Sequence, residues 1–231
     1  MWYNIKLFYP YIYNMSSSSS SMIYFFVIVY IIIIYFTERR NPEEKYDPKK
    51  YMTTSILMIM AIICIQLISG YSAYSPSKFN LFFGVIFTWF IIFTPTFCIY
   101  YISPEDSLIL NSVFENVIGY VFISGRANDI LSKLNVTSTT DTSSDAEIKN
   151  LVLQINKAQS LFINQLNVCN FDDLWKQLFE PIFKKSGIPN IPECKSTLQI
   201  LVREKYIIGK CIWFFYTCII CVTMSTFFMI Y

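Results

Sequence analysis

Residues 51–104 read YMTTSILMIMAIICIQLISGYSAYSPSKFNLFFGVIFTWFIIFTPTFCIYYISP and carry one charge, Lys78. That charge sits in the turn Ser75-Pro76-Ser77-Lys78, with a long apolar run on either side. A helix needs about 20 mostly apolar residues to cross a bilayer, and each run is long enough. The stretch therefore predicts a transmembrane hairpin over 55–102, its helices spanning 55–74 and 79–102. Pro95 removes a backbone donor and predicts a kink in the second of them. Gly84 and Thr88, four residues apart, allow a close helix approach.

The same pattern extends in both directions. Apart from Lys6 and Lys78, every charge lies in one of two blocks, Glu38 to Lys50 and Glu105 to Lys210. Leu7 to Thr37 and Cys211 to Tyr231 are uncharged. The expected fold class is all-α, with about four transmembrane helices and a helical polar domain inserted between spans three and four. An aromatic and Ser-rich arm covers 1–21, the first span 22–37 and a charged loop 38–54. The hairpin occupies 55–102, the polar domain 103–206 and the fourth span 207–231. The apolar core of the first span is short for a crossing, so neighbouring serines join the helix or the bilayer thins.

Orientation follows from basic residues near span ends. Arg39, Arg40, Lys45, Lys49 and Lys50 lie in the first loop, and the opposing segments hold Lys6 and Lys78. The loop is expected on the cytoplasmic face, with both termini opposite. Counting crossings puts 103–206 on the cytoplasmic face too, and Arg203, Lys205 and Lys210 read as flanking charges of span four.

Within the polar domain, Ser103-Pro104-Glu105-Asp106 reads as a helix start. Leu110, Val113, Phe114, Val117, Ile118, Val121 and Phe122 form an apolar stripe at helical spacing, and Gly125 can end that helix. Asn135 to Ser143 reads as a loop, followed by a second stripe through Ile148, Leu151, Ile155, Ala158 and Phe162. A third helix carries Leu174, Trp175, Leu178 and Phe179, with Asp172 and Asp173 at its start. Pro189 and Pro192 precede a last helix that begins near Ser196 and can run on into span four. These stripes are expected to pack onto one another and onto the membrane surface, with Phe114, Ile118, Phe162, Trp175 and Leu178 largely buried.

Composition limits the chemistry. Hydrophobic residues make up 54% of the chain, above the roughly 45–50% of soluble domains. Net charge is only +2, which gives no basic field for nucleic acid. The chain has 0 histidines, and with them go the commonest general base and metal ligand. Cys218 and Cys221 form a CxxC, but inside an apolar run, where cysteine packs as a small hydrophobe. These features predict no enzyme activity, no cofactor, no metal site and no small-molecule substrate.

Two features remain as candidates. Gln66 is the one strongly polar residue in its span and predicts a polar helix–helix contact. The string Asn111-Ser112-Val113-Phe114-Glu115-Asn116-Val117-Ile118-Gly119-Tyr120 directly follows the hairpin, and Phe114, Glu115, Asn116 and Tyr120 mark a candidate interaction helix. This FEN…GY core after a transmembrane hairpin resembles small integral membrane proteins of large icosahedral DNA viruses. The abundance of Ile, Tyr, Phe, Asn and Lys suggests an AT-rich coding sequence, as in some protists and many large DNA viruses.

The resemblance implies a virion inner membrane, derived from host endoplasmic reticulum, and a minor capsid role. The implied partners are the lipid bilayer and other capsid or membrane proteins. It carries over no functional residue. The competing readings are a channel or transporter subunit, for which Gln66, Ser69, Thr88 and Thr94 are the polar residues to hand, and a membrane enzyme such as an acyltransferase or thiol oxidoreductase.

Overall fold

The computed structural model describes residues 21–37, 52–74, 78–102, 111–138, 154, 157–185 and 190–230. Among these it is 95% helical and has no strands. The N-terminal arm, most of the charged loop, the expected helix start at Ser103 and the stripe positions Ile148, Leu151 and Ile155 lie outside the described residues.

Among the described residues, seven helices follow in chain order. They are α1 (Ser21–Thr37), α2 (Met52–Tyr74), α3 (78–102), α4 (111–138), α5 (Gln159–Gln165), α6 (171–185) and α7 (Ile191–Ile230). Three are long and apolar enough to cross a membrane: α2, α3 over Asn80–Cys98, and α7. The first helix is apolar but shorter, at 17 residues over Ser21–Thr37.

The described helices divide between two compact units, one made of residues 21–36, 52–74, 78–102 and 213–230, the other of 111–138, 154, 157–185 and 190–212. In the first unit, four helical segments share one core. Ile23 and Val27 of α1 join Ile59 and Ile62 of α2, Leu81, Val85, Trp89 and Phe93 of α3, and Cys218, Cys221, Val222 and Met229 of α7. Glycine permits two close approaches. A Cβ on Gly84 would lie 2.9 Å from that of Phe228, and one on Gly70 would collide with the Met229 sulfur. Outward-facing side chains are large and apolar, among them Phe90, Ile68 and Phe25, as a lipid-facing surface requires.

Pro95 is accommodated by a change of helix type. Two π-helical turns, Phe83–Phe87 and Trp89–Phe93, precede the α-helix Thr94–Ile102. Wider turns ease the clash of the proline ring with the preceding turn. The Thr96 hydroxyl donates to the carbonyls of Ile92 and Phe93, at 3.0 and 2.8 Å.

The second unit packs α4, α5, α6 and the first part of α7 around one apolar core. Trp175 and Phe179 stack at 5.7 Å, and Phe162 lies 4.6 Å from Phe179, centroid to centroid. Each fully buried ring or branched chain contributes about 1.5–3 kcal/mol. Asn167 and Asn170 close the α5–α6 turn. The Asn167 carboxamide oxygen accepts from the backbone N–H groups of Cys169 and Asn170, and that of Asn170 accepts from Asn167 N–H. Asp172 and Asp173 occupy the first turn of α6.

Four sequence expectations need correction. The stripe on α4 does not line the core as a whole: Val113, Val117, Val121 and Phe122 are exposed, and Phe114 and Ile118 are only half-buried. Phe162 and Leu178 are likewise half-buried, while Trp175 is buried. The first nine residues of α4, Asn111–Gly119, are π-helical, so a stripe drawn at the 3.6-residue period loses phase. The line that faces inward is Glu115, Gly119, Ile123, Ala127 and Leu131.

Gly125 does not end α4, which continues through Ser138 and takes in part of the expected Asn135–Ser143 loop. Inward contacts on both sides of Gly125 outweigh its cost of about 1 kcal/mol against alanine. Nor does Pro192 exclude the start of the last helix. It is the second residue of α7, where a backbone N–H has no intrahelical acceptor to lose. Finally, Arg203 and Lys205 are not surface charges beside a span; both are buried within the second unit.

Candidate functional site

Buried polar groups are costly unless paired, so each one marks a position the fold must answer. In the first unit the centre of this kind is Gln66. Its side-chain oxygen accepts from Trp89 Nε1 at 2.6 Å, and its Nε2 donates to the Val222 carbonyl at 3.4 Å. One glutamine thus ties α2 to α3 and α7. Trp89 serves both packing and polarity: its indole N–H reaches Gln66 while its ring meets Phe93 at 5.5 Å.

The other buried polar side chains of this unit are also partnered. Ser55 bonds the Tyr30 hydroxyl of α1. Thr88, Thr217 and Ser225 donate to the carbonyls of Gly84, Trp213 and Cys221, at 2.6, 3.0 and 2.7 Å. These hydroxyls are satisfied by their own helices, the usual solution in lipid. Replacing Gln66 with leucine removes the acceptor of the Trp89 N–H. The expected loss is about 0.6–1.7 kcal/mol, checked by thermal unfolding in detergent.

The second unit holds a larger centre, built on Lys205. Its ammonium is fully buried, at 0% exposure. It donates to Asn116 Oδ1 at 3.0 Å, to the Ile163 carbonyl at 3.2 Å and to the Leu166 carbonyl at 2.8 Å. Glu115 Oε1 lies 3.6 Å away, an ion pair just beyond hydrogen-bonding range. An ammonium has three N–H groups, and all three are committed. Two of them end on carbonyls at the C-terminus of α5, where cations complete the unsatisfied last turn.

Two glycines bring the helices close enough for this. A Cβ on Gly119 would collide with the Lys205 carbonyl oxygen, and one on Gly209 would sit 2.8 Å from Glu115 Cα. So α4 and α7 touch backbone to backbone on both sides of the pair. About two turns beyond Gly119 along α4, Arg126 bonds Glu204. Arg203, Glu204 and Lys205 are therefore three consecutive charges inside the fold.

Of the candidate interaction residues, Glu115 and Asn116 point to Lys205, while Phe114 and Tyr120 are half-buried and Tyr120 packs against the core. From the sequence, Lys205 is assigned to the flank of span four, and Gly119 and Gly209 are given no packing role. A signal was present: three adjacent charges span about 200° of a helix, between Leu201-Val202 and Tyr206-Ile207, so they cannot all lie on one solvated face.

Burial pushes the Glu115 carboxyl above its ordinary value of 4.5, although the nearby Lys205 charge pulls it down. The folded chain therefore holds this proton more tightly than the unfolded chain. The stabilisation is complete below about pH 4.5 and is lost as pH rises through the folded value. Glu115→Gln should remove this share of the slope of stability against pH. The check is chemical denaturation of both proteins across the acid range.

Among the described residues, no three His, Cys, Asp or Glu side chains group so as to hold a metal ion. No family model, no curated protein and no solved structure matches the chain.

Proposed function

We propose that this chain is a structural membrane protein that anchors a bilayer to a protein layer. Four helical segments, α1 among them, hold the lipid side as spans, and the polar unit inserted between the third and fourth meets the layer. Taken with the resemblance of the FEN…GY string, the bilayer is the inner membrane of a large icosahedral DNA virus and the layer its capsid shell.

One observation carries this reading. All five buried polar side chains of the first unit among the described residues, Ser55, Gln66, Thr88, Thr217 and Ser225, are committed to partners within the helices. A transport path needs polar groups turned to a passage, and a catalytic site needs groups left available to substrate. Internal commitment of this kind supports a passive anchor. The arrangement at Lys205 supports the same reading, because an ammonium donating to three oxygens serves as a helix cap.

Reconstitution tests it. The full chain in liposomes should pass no ion current, and Gln66→Leu should alter its stability alone. A current abolished by Gln66→Leu would replace the anchor with a channel.

A further inference from the structure

We infer that the first turns of α4 lie in the lipid interface, with Val113, Val117, Val121 and Phe122 turned to the acyl chains. These side chains are 47%, 57%, 66% and 63% exposed, an apolar surface that the second unit leaves uncovered. Hydrophobic side chains in such a run are stabilised by lipid or by a partner.

Three features of the chain select lipid. From Asn111 to Gly125 the one charge is Glu115, and it is turned inward at 4% exposure. The outward surface over this stretch is therefore uncharged. Beyond it the exposed positions become polar: Arg126, Asn128 and Asp129. Such a change of polarity along one helix is what a membrane–water boundary imposes, and Arg126 stands at the level where a cation meets headgroups.

The third feature is the leash. Eight residues, 103–110, separate the end of α3 from the start of α4. An extended chain of that length reaches about 30 Å at most. With α3 crossing the bilayer, on which this inference rests, that leash leaves the start of α4 within reach of the lipid surface. An interfacial helix needs to sink only about 5–10 Å to cover such a face.

The test places photoreactive benzoylphenylalanine singly at Val117, Phe122, Asn128 and Phe90 of the full chain in phosphatidylcholine liposomes. Phe90 is an outward residue of α3, 67% exposed. After irradiation, adducts are identified by mass. Lipid adducts are expected at Val117 and Phe122 in yields comparable with Phe90, and on the order of tenfold lower at Asn128. Adducts at Phe90 with none at Val117 and Phe122 would overturn the interfacial placement alone. Crosslinks from Val117 and Phe122 to protein in place of lipid would overturn it too, assigning the face to a second copy. No lipid adduct at Phe90 would overturn the membrane reading of α3, and this inference with it.

Discussion

Replacing Lys205 with methionine should cost the second unit about 3–5 kcal/mol, the usual penalty for stranding a buried charge. The Lys205 ammonium faces Glu115 Oε1 at 3.6 Å and donates to Asn116 Oδ1, Ile163 O and Leu166 O. Methionine keeps most of the volume and none of the donors. Glu115 is left buried without its counter-charge, and the last carbonyls of α5 lose their cap. Domains are stable by only about 5–15 kcal/mol, so much of the margin goes with one side chain.

Adding Glu115→Leu to Lys205→Met should recover part of the loss, because no charge is then stranded. Recovery will be incomplete, since the Ile163 carbonyl keeps the Leu166 N–H but the Leu166 carbonyl loses its Lys205 donor, at about 1–3 kcal/mol. Denaturant titrations of the two single variants and the double variant give the coupling directly. A Lys205→Met protein as stable as the parent would contradict the geometry described here.

Gly119→Val should be at least as damaging. Its Cβ would meet the backbone carbonyl of Lys205, and backbone cannot turn aside as a flexible side chain can. The two helices must separate, which stretches the Glu115–Lys205 pair as well. Overpacking alone costs about 1–3 kcal/mol, and the displaced ion pair adds to it. Gly209→Ala should act in the same direction, because its Cβ would approach Glu115 Cα and N at 2.8 and 2.9 Å. Gly125→Ala is the control: nothing lies within 4 Å of the added carbon, and helix propensity predicts a gain of up to about 1 kcal/mol. Thermal unfolding of the three variants should separate them clearly.

The helical class and the candidate crossing helices were legible because lipid selects on composition and length, which need no knowledge of rotational phase. Lys78 and its flanking apolar runs were enough for two helices, each long and apolar enough to cross a membrane. Gln66 stood out as a polar side chain in an apolar run, but its partners were not legible. Trp89 and Val222 are 23 and 156 residues away, and which helices pack together is not written in any local pattern.

Phase was where local reading failed. The π-helical start of α4 moved Val113, Val117 and Val121 outward, and the need to bring Glu115 to Lys205 set which face turned inward. Desolvating an unpaired charge costs more than exposing a valine, so the ion pair decided the rotation. Arg203 and Lys205 were misplaced for a related reason. A basic residue beside a span suits the headgroups as well as a buried carboxylate, and only the packing of α4 and α5 around α7 separates the two.

The anchor reading is tested most directly by lysine crosslinking and mass spectrometry on intact native membranes. Lys157, Lys176 and Lys184 are exposed on the second unit and open to the reagent. The account predicts crosslinks from these lysines to one abundant protein of the adjoining layer, recurring at fixed residue pairs and lost when the layer is stripped away. Crosslinks confined to the chain itself, with the layer protein present and reactive, would contradict it.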